Sequence, residues 1–154
     1  GEALRLAAAV ERDAEHPVAR AIVRSAEARG VRPAAARGFR AMPGRGVQAE
    51  VEGRRLLGGG PNLLATLALT PPPALAAFAA DAAARGQGVI YLVEQRADGI
   101  DDAGAGAHRA LAAFAVADAV RPESAEAVRR LHEAGIEVVM LTGDARAVAE
   151  GVAR

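Results

Sequence analysis

The sequence predicts an α+β chain, with an antiparallel sheet flanked by helices followed by an incomplete parallel α/β unit. Three observations lead there. Short alternating segments between Gly38 and Leu57 include a Glu52-Gly53 pair suited to a tight hairpin turn. Helical periodicity flanks them, with prolines at helix starts and glycines past helix ends. Further on, an apolar run, a helical pattern and a second apolar run follow at the spacing of a βαβ crossover.

Taken in order, Glu2 to Asp13 reads as a helix, with Leu4, Leu6, Ala7, Ala8 and Val10 on its apolar face. Ala14-Glu15-His16 is a loop. Pro17 opens a second helix, at a position where a missing N–H costs nothing. Val18, Ala21, Ile22 and Ser25 recur at helical spacing, and Gly30 ends that helix. Strands are expected at Gly38 to Met42, Gly46 to Val51 and Arg54 to Leu57. Pro61 to Leu67 reads as a short helix, and Pro73 to Arg85 as another, stopped by Gly86. Gly88 to Glu94 is a strand rich in β-branched and aromatic residues. Ala97 to Ala107 is polar and Gly-rich and reads as a loop, after which Arg109 to Ala117 is a strand.

The pattern then changes. Ala113 to Ala117 reads as a buried strand. Pro122 to Ala134 is a helix with Glu123 in its first turn and Gly135 just past its end. Glu137 to Leu141 is a second apolar strand. This places a boundary near Ala117, between a domain at 1–117 and a partial one at 118–154. The chain opens directly in a helical pattern and stops inside another, as expected of a piece of a longer protein.

Composition narrows the function. The 154 residues can bury about 70% of the surface of the unfolded chain. The 51% apolar content is rich in alanine and holds only 3% aromatic residues, so cores are built from small side chains. Nineteen basic residues balance nineteen acidic ones, which disfavours a nucleic-acid partner. With no cysteine, disulfides, thiol catalysis and zinc–thiolate sites are excluded. With no lysine, a Walker A loop and Schiff-base chemistry are excluded too. The uncharged stretch from Leu56 to Ala80 is broken by Gly58-Gly59-Gly60-Pro61 and Pro71-Pro72-Pro73, so it does not read as a membrane span.

Four places could carry chemistry. Met140-Leu141-Thr142-Gly143-Asp144 ends a strand at the carboxyl edge where open α/β sheets bind ligands. Thr142 offers a hydroxyl, Gly143 allows close backbone approach, and the following helix points its positive end at a phosphate. Asp144 could equally cap that helix. Glu15-His16-Pro17, with Glu11 about a helical turn before, offers an imidazole able to stack on a purine or hydrogen-bond to it; the same histidine could be a helix cap. Pro43-Gly44-Arg45-Gly46-Val47 lets backbone approach a flat ring, although Gly-x-Gly between strands also serves turns and bulges. Asp118-Ala119-Val120-Arg121-Pro122 could form an ion pair at a hinge. His108 and His132 are scattered, and no metal site is expected.

In this order, Glu11 with Glu15-His16-Pro17, Gly44-x-Gly46-Val47, Asp118-x-x-Arg121-Pro122 and Thr142-Gly143-Asp144 resemble the cytoplasmic loop of heavy-metal-transporting, copper-type P-type ATPases. The resemblance covers nearly the whole chain. It implies the nucleotide-binding domain of that family, followed by part of its haloacid-dehalogenase-like phosphorylation domain. It implies that Glu11 and His16 contact or orient the adenine of ATP, with Gly44 and Gly46 beneath it. Thr142, Gly143 and Asp144 would form the catalytic part, facing the γ-phosphate and its Mg2+. The sequence departs from the family in having Ala145 where an asparagine is usual. The family's Gly-Asn near the adenine appears only as Gly58-Gly59-Gly60-Pro61-Asn62.

The Asp-Lys-Thr-Gly-Thr phosphorylation loop would precede Gly1, and Gly-Asp-Gly-x-Asn-Asp would follow Arg154. The resemblance therefore implies an intact parent that exports a heavy-metal cation, copper being the commonest cargo, through an aspartyl-phosphate. This chain alone would bind ATP without turnover. Its partners would be the remaining phosphorylation, actuator and transmembrane domains of the same parent. It would be a cytoplasmic domain of an integral protein of the bacterial plasma membrane, with no membrane contact of its own. The alternatives are a haloacid-dehalogenase-type phosphatase, which needs a strand followed by Asp-x-Asp that is not found here, and a non-catalytic adenine-nucleotide module.

Overall fold

A computed structural model describes residues 1–96, 107–117 and 122–141. Its centre is a five-stranded sheet in the order β1 (Ala36–Met42), β2 (Gly46–Val51), β3 (Arg54–Gly59), β4 (Gly88–Gln95) and β5 (His108–Val116). Every neighbouring pair is antiparallel. The β2–β3 turn is the expected tight one: Glu52 and Gly53 both take positive φ, 53° and 75°, the backbone twist a two-residue hairpin requires. The Glu52 carboxylate is gripped by Arg5, each oxygen taking one N–H at 2.8 Å, so the turn is tied to the first helix.

Helices cover both faces. Helices α1 (Glu2–Glu11) and α2 (Pro17–Ala28) form one layer. Alternation along the strands sends Val47, Ala49, Val51, Leu56 and Leu92 towards it, against Leu4, Leu6, Val10 and Ile22. Helix α1 is buried nearly all round, which its small Ala7, Ala8 and Ala9 permit by letting the sheet and α2 approach closely. Leu57, Val89, Tyr91 and Val93 point the other way, onto α3 (Pro61–Thr66) and α4 (Pro73–Ala84), where Leu63, Leu64 and Ala82 meet them.

The antiparallel sheet with flanking helices is as expected, and two strand assignments in the last part of the chain differ. Ala113 to Val116 do not open a new sheet. They are the end of β5, paired antiparallel to β4 from Gly88 opposite Val116 to Gln95 opposite His108. Helix α5 (Pro122–Glu133) forms as expected. Residues 137–141 form no strand: Val139 is 80% and Leu141 98% exposed. A parallel strand is held by neighbours on both edges and cover on both faces, and no described segment supplies them. Smaller differences are at element ends: α1 stops at Glu11 and β3 runs on to Gly59.

Candidate functional site

The end of α1, the α1–α2 loop, the β1–β2 turn and the end of β3 converge on one cleft of about 740 Å³. Glu11, His16, Gly44 and Gly46 all line it. Four residues from three separate segments, chosen by sequence, therefore lie around a single cavity.

Glu11 is set by α1. As the last residue of a helix buried on most sides it is only 7% exposed. Its carboxyl lies over Gly58, where a Cβ would run into it. Burial, with no hydrogen bond or ion pair to offset it among the described residues, pushes this carboxyl up to about 7.

His16 is set by Pro17. The proline fixes the first position of α2, and His16 becomes its N-cap in extended backbone, φ −74° and ψ 142°. The Val18 backbone N–H donates to His16 Nδ1 at 3.3 Å. Cap and ligand roles are thus compatible: with Nδ1 accepting, the ring proton sits on Nε2, which the exposed ring leaves available to the cleft.

The turn is set by glycine. Gly44 takes φ +70° and Gly46 φ +127°, both unfavourable for other residues. A Cβ at Gly46 would overlap the Gly58 carbonyl oxygen and lie 2.9 Å from Gly59 Cα. A Cβ at Gly59 would overlap the Arg45 carbonyl oxygen. Bare backbone thus meets bare backbone here, giving one side of the cleft a flat wall. Phe39, Met42, Val47 and Ile90 add apolar lining suited to a ring.

Asn62 also lines this cleft, brought there by the bend at Gly60-Pro61 that starts α3. Asn62, Arg45 and Phe39 had no assigned role in the sequence reading. The Gly-rich run before Asn62 was the one available signal. Thr142, Gly143 and Asp144 lie outside the described residues, as do Asp118 and Arg121. Among the described residues no group of three or more His, Cys, Asp or Glu comes together, and no helix is long and apolar enough to cross a membrane.

A second groove, about 730 Å³, lies by the β2–β3 turn, lined by Glu50, Arg54, Arg55, Glu94, Arg96 and Arg109 among others. Its charges are largely mutually satisfied. Glu94 takes Arg54 at 2.6 Å and Arg109 at 3.2 Å, and the Arg54 hydrogen bond holds its carboxyl below the ordinary value.

A family model described as haloacid dehalogenase-like hydrolase matches residues 1–154. The chain is 37% identical over 153 residues to the probable copper-exporting P-type ATPase V of Mycobacterium tuberculosis, across 99% of this chain and 18% of that protein. It is 35% identical over 153 residues to copper-exporting P-type ATPase B of Archaeoglobus fulgidus, across 99% and 20%. Among solved structures, a zinc-transporting PIB-type ATPase in its E2.Pi state superposes with a TM-score of 0.70 at 32% identity, across 99% of this chain and 22% of that one. The N-domain of HMA8, a copper-transporting P-type ATPase, gives 0.56 at 27% identity, across 75% and 88%. The chain thus spans about a fifth of the length of the curated relatives it matches. These likenesses bear out the resemblance drawn from the four motifs.

Proposed function

This chain belongs to the haloacid dehalogenase-like hydrolase family, and we propose that it is the ATP-binding module, with part of the phosphorylation domain, of a heavy-metal-transporting P-type ATPase. The observation that carries this reading is the convergence of Glu11, His16, Gly44 and Gly46 on one cleft. An adenine fits its chemistry. The flat glycine wall and apolar lining suit an aromatic ring, His16 can stack on it or donate from Nε2, and the Glu11 carboxylate can accept from an exocyclic amine. Residues 1–117 form the nucleotide-binding domain and 118–154 the partial phosphorylation domain.

In the intact protein, closure of the two domains would carry the γ-phosphate to an aspartate elsewhere in the parent. Thr142, Gly143 and Asp144 would face that phosphate; hydroxyl and carboxylate oxygens are the donors Mg2+ prefers. The ion would neutralise charge developing on the phosphoryl group. Formation and hydrolysis of an aspartyl-phosphate would then drive export of the metal. Copper is the proposed cargo, in keeping with the names of the curated relatives. The parent would be a plasma-membrane protein with this module on the cytoplasmic side.

Calorimetric titration with ATP tests the reading. The chain is expected to bind ATP with no phosphate release, and His16→Ala to bind it at least about tenfold more weakly, losing both stacking and a hydrogen bond. Equal binding by both would remove His16 from the site. No binding by the unaltered chain would overturn the assignment.

A further inference from the structure

The cleft is electrically lopsided. Glu11, Asp13 and Glu15 line it from the α1 side, together with His16. From the β1–β2 turn comes Arg45, the one arginine among the described residues that line it. A polyphosphate carries several negative charges, so a nucleotide lying with its phosphates towards Asp13 and Glu15 would be repelled, while the reverse orientation is attracted.

The backbone of Arg45 is unusually well fixed for a turn residue. Its N–H donates to the Met42 carbonyl at 2.9 Å, closing the turn. Its own carbonyl sits against Gly59, with no room for a Cβ between them. Positive φ at Gly44 and Gly46 on either side sets its direction. The side chain, by contrast, is exposed and makes no hydrogen bond or ion pair among the described residues. Many other arginines here have an acidic partner: Arg5 has Glu2 and Glu52, Arg54 and Arg109 have Glu94, and Arg129 has Glu126 and Glu133. An anchored backbone carrying an uncommitted guanidinium at the rim of a cleft is suited to bidentate capture of a phosphate.

We propose that Arg45 binds the phosphates of the nucleotide, and so sets the direction in which it lies, base against Glu11 and His16 and phosphates over the β1–β2 turn. This deepens the nucleotide assignment and rests on it. In a chain without lysine, this guanidinium supplies the positive charge, and it adds the planar fork that a lysine lacks.

The test is a calorimetric series of adenosine, AMP, ADP and ATP against the 154-residue chain and its Arg45→Ala and Arg45→Lys variants. The unaltered chain should bind ADP and ATP more tightly than adenosine. Arg45→Ala should weaken ADP and ATP about five- to tenfold and adenosine by less than about twofold, with Arg45→Lys recovering part of the loss. Equal weakening of adenosine and ATP would show that the residue only shapes the turn, and would overturn the proposal. So would unchanged ATP affinity in Arg45→Ala. An unaltered chain that binds none of the four would fail at the nucleotide assignment itself, a result distinguishable from either of these. Backbone NMR spectra of each variant separate loss of a contact from loss of the fold.

Discussion

Glu11 lines the cleft, yet it is only 7% exposed, with its carboxyl lying against Gly58. Burial raises it from the ordinary 4.5 to about 7. Between those values the folded chain holds a proton that the unfolded chain has released, so stability falls as pH rises from 4.5 towards 7. Above about 7 the full desolvation burden is present, about 3 kcal/mol for a shift of this size. The Glu11→Gln variant is therefore expected to match the parent chain near pH 5 and to exceed its stability by up to about 3 kcal/mol at pH 8, read by urea unfolding at both values. Equal stabilities at pH 8 would mean that the carboxyl is hydrated in the free chain. Gly46 makes a sharper prediction. Its Ala variant must place a Cβ into the Gly58 carbonyl from a positive-φ backbone, so a loss of about 2 kcal/mol or more is expected, together with loss of ATP binding.

At the scale of elements, His16 caps α2 and is proposed to hold the nucleotide, two roles that substitution can part. His16→Ala should lower stability by about 1 kcal/mol, because the Val18 N–H loses its acceptor at the start of α2. His16→Asn restores a cap but no ring. Thermal unfolding near the original midpoint with weak ATP binding is the expected result for Asn; full recovery of binding would show that the cap alone matters. Glu94 ties strands together in a similar way. It lies on β4, directly across from Arg109 on β5, with Arg54 of β3 at a diagonal position. Its carboxyl is held low, so its stabilisation is present above the ordinary carboxylate range and is lost as pH falls through and below it. Glu94→Gln should cost about 1 kcal/mol at pH 7, and the gap should close in acid. A constant difference from pH 7 to pH 3 would contradict this pairing.

For the whole molecule, both apolar cores are built, among the described residues, from residues up to Ala115, and no described residue from α5 onward enters them. A chain truncated after residue 117 is therefore expected to fold with the same sheet and to keep the proposed ATP binding. NMR spectra of residues 1–110 in the two chains check this. Large shift changes in the β1–β5 sheet would place the domain boundary elsewhere. The exposed Ile136, Val138, Val139, Met140 and Leu141 are apolar surface of the kind that closes against a partner element. The full chain should accordingly bind an apolar dye more strongly than the truncated one.

Much of this was legible along the sequence. Periodicity, prolines at helix starts and the Glu52-Gly53 turn are local signals. They identified the helices and the five strands of the sheet to within a few residues, though not the coil at 137–141, because the physics that writes them, side-chain direction and backbone φ, acts over one or two turns of chain. The residues of the cleft stood out as candidates for a related reason: His-Pro and Gly-x-Gly each limit their own backbone. Tertiary structure alone decided who meets whom. It paired 113–116 with β4 in an antiparallel ladder where local pattern allowed a parallel crossover, because apolar alternation marks a strand without naming its neighbour. It laid Glu11 over Gly58 and so raised its carboxyl, and it brought Arg45 and Asn62 to one cavity from opposite sides of a hairpin. Burial and charge at a site are sums over residues distant in sequence, and these contacts exist only once the sheet has closed between its two layers of helices.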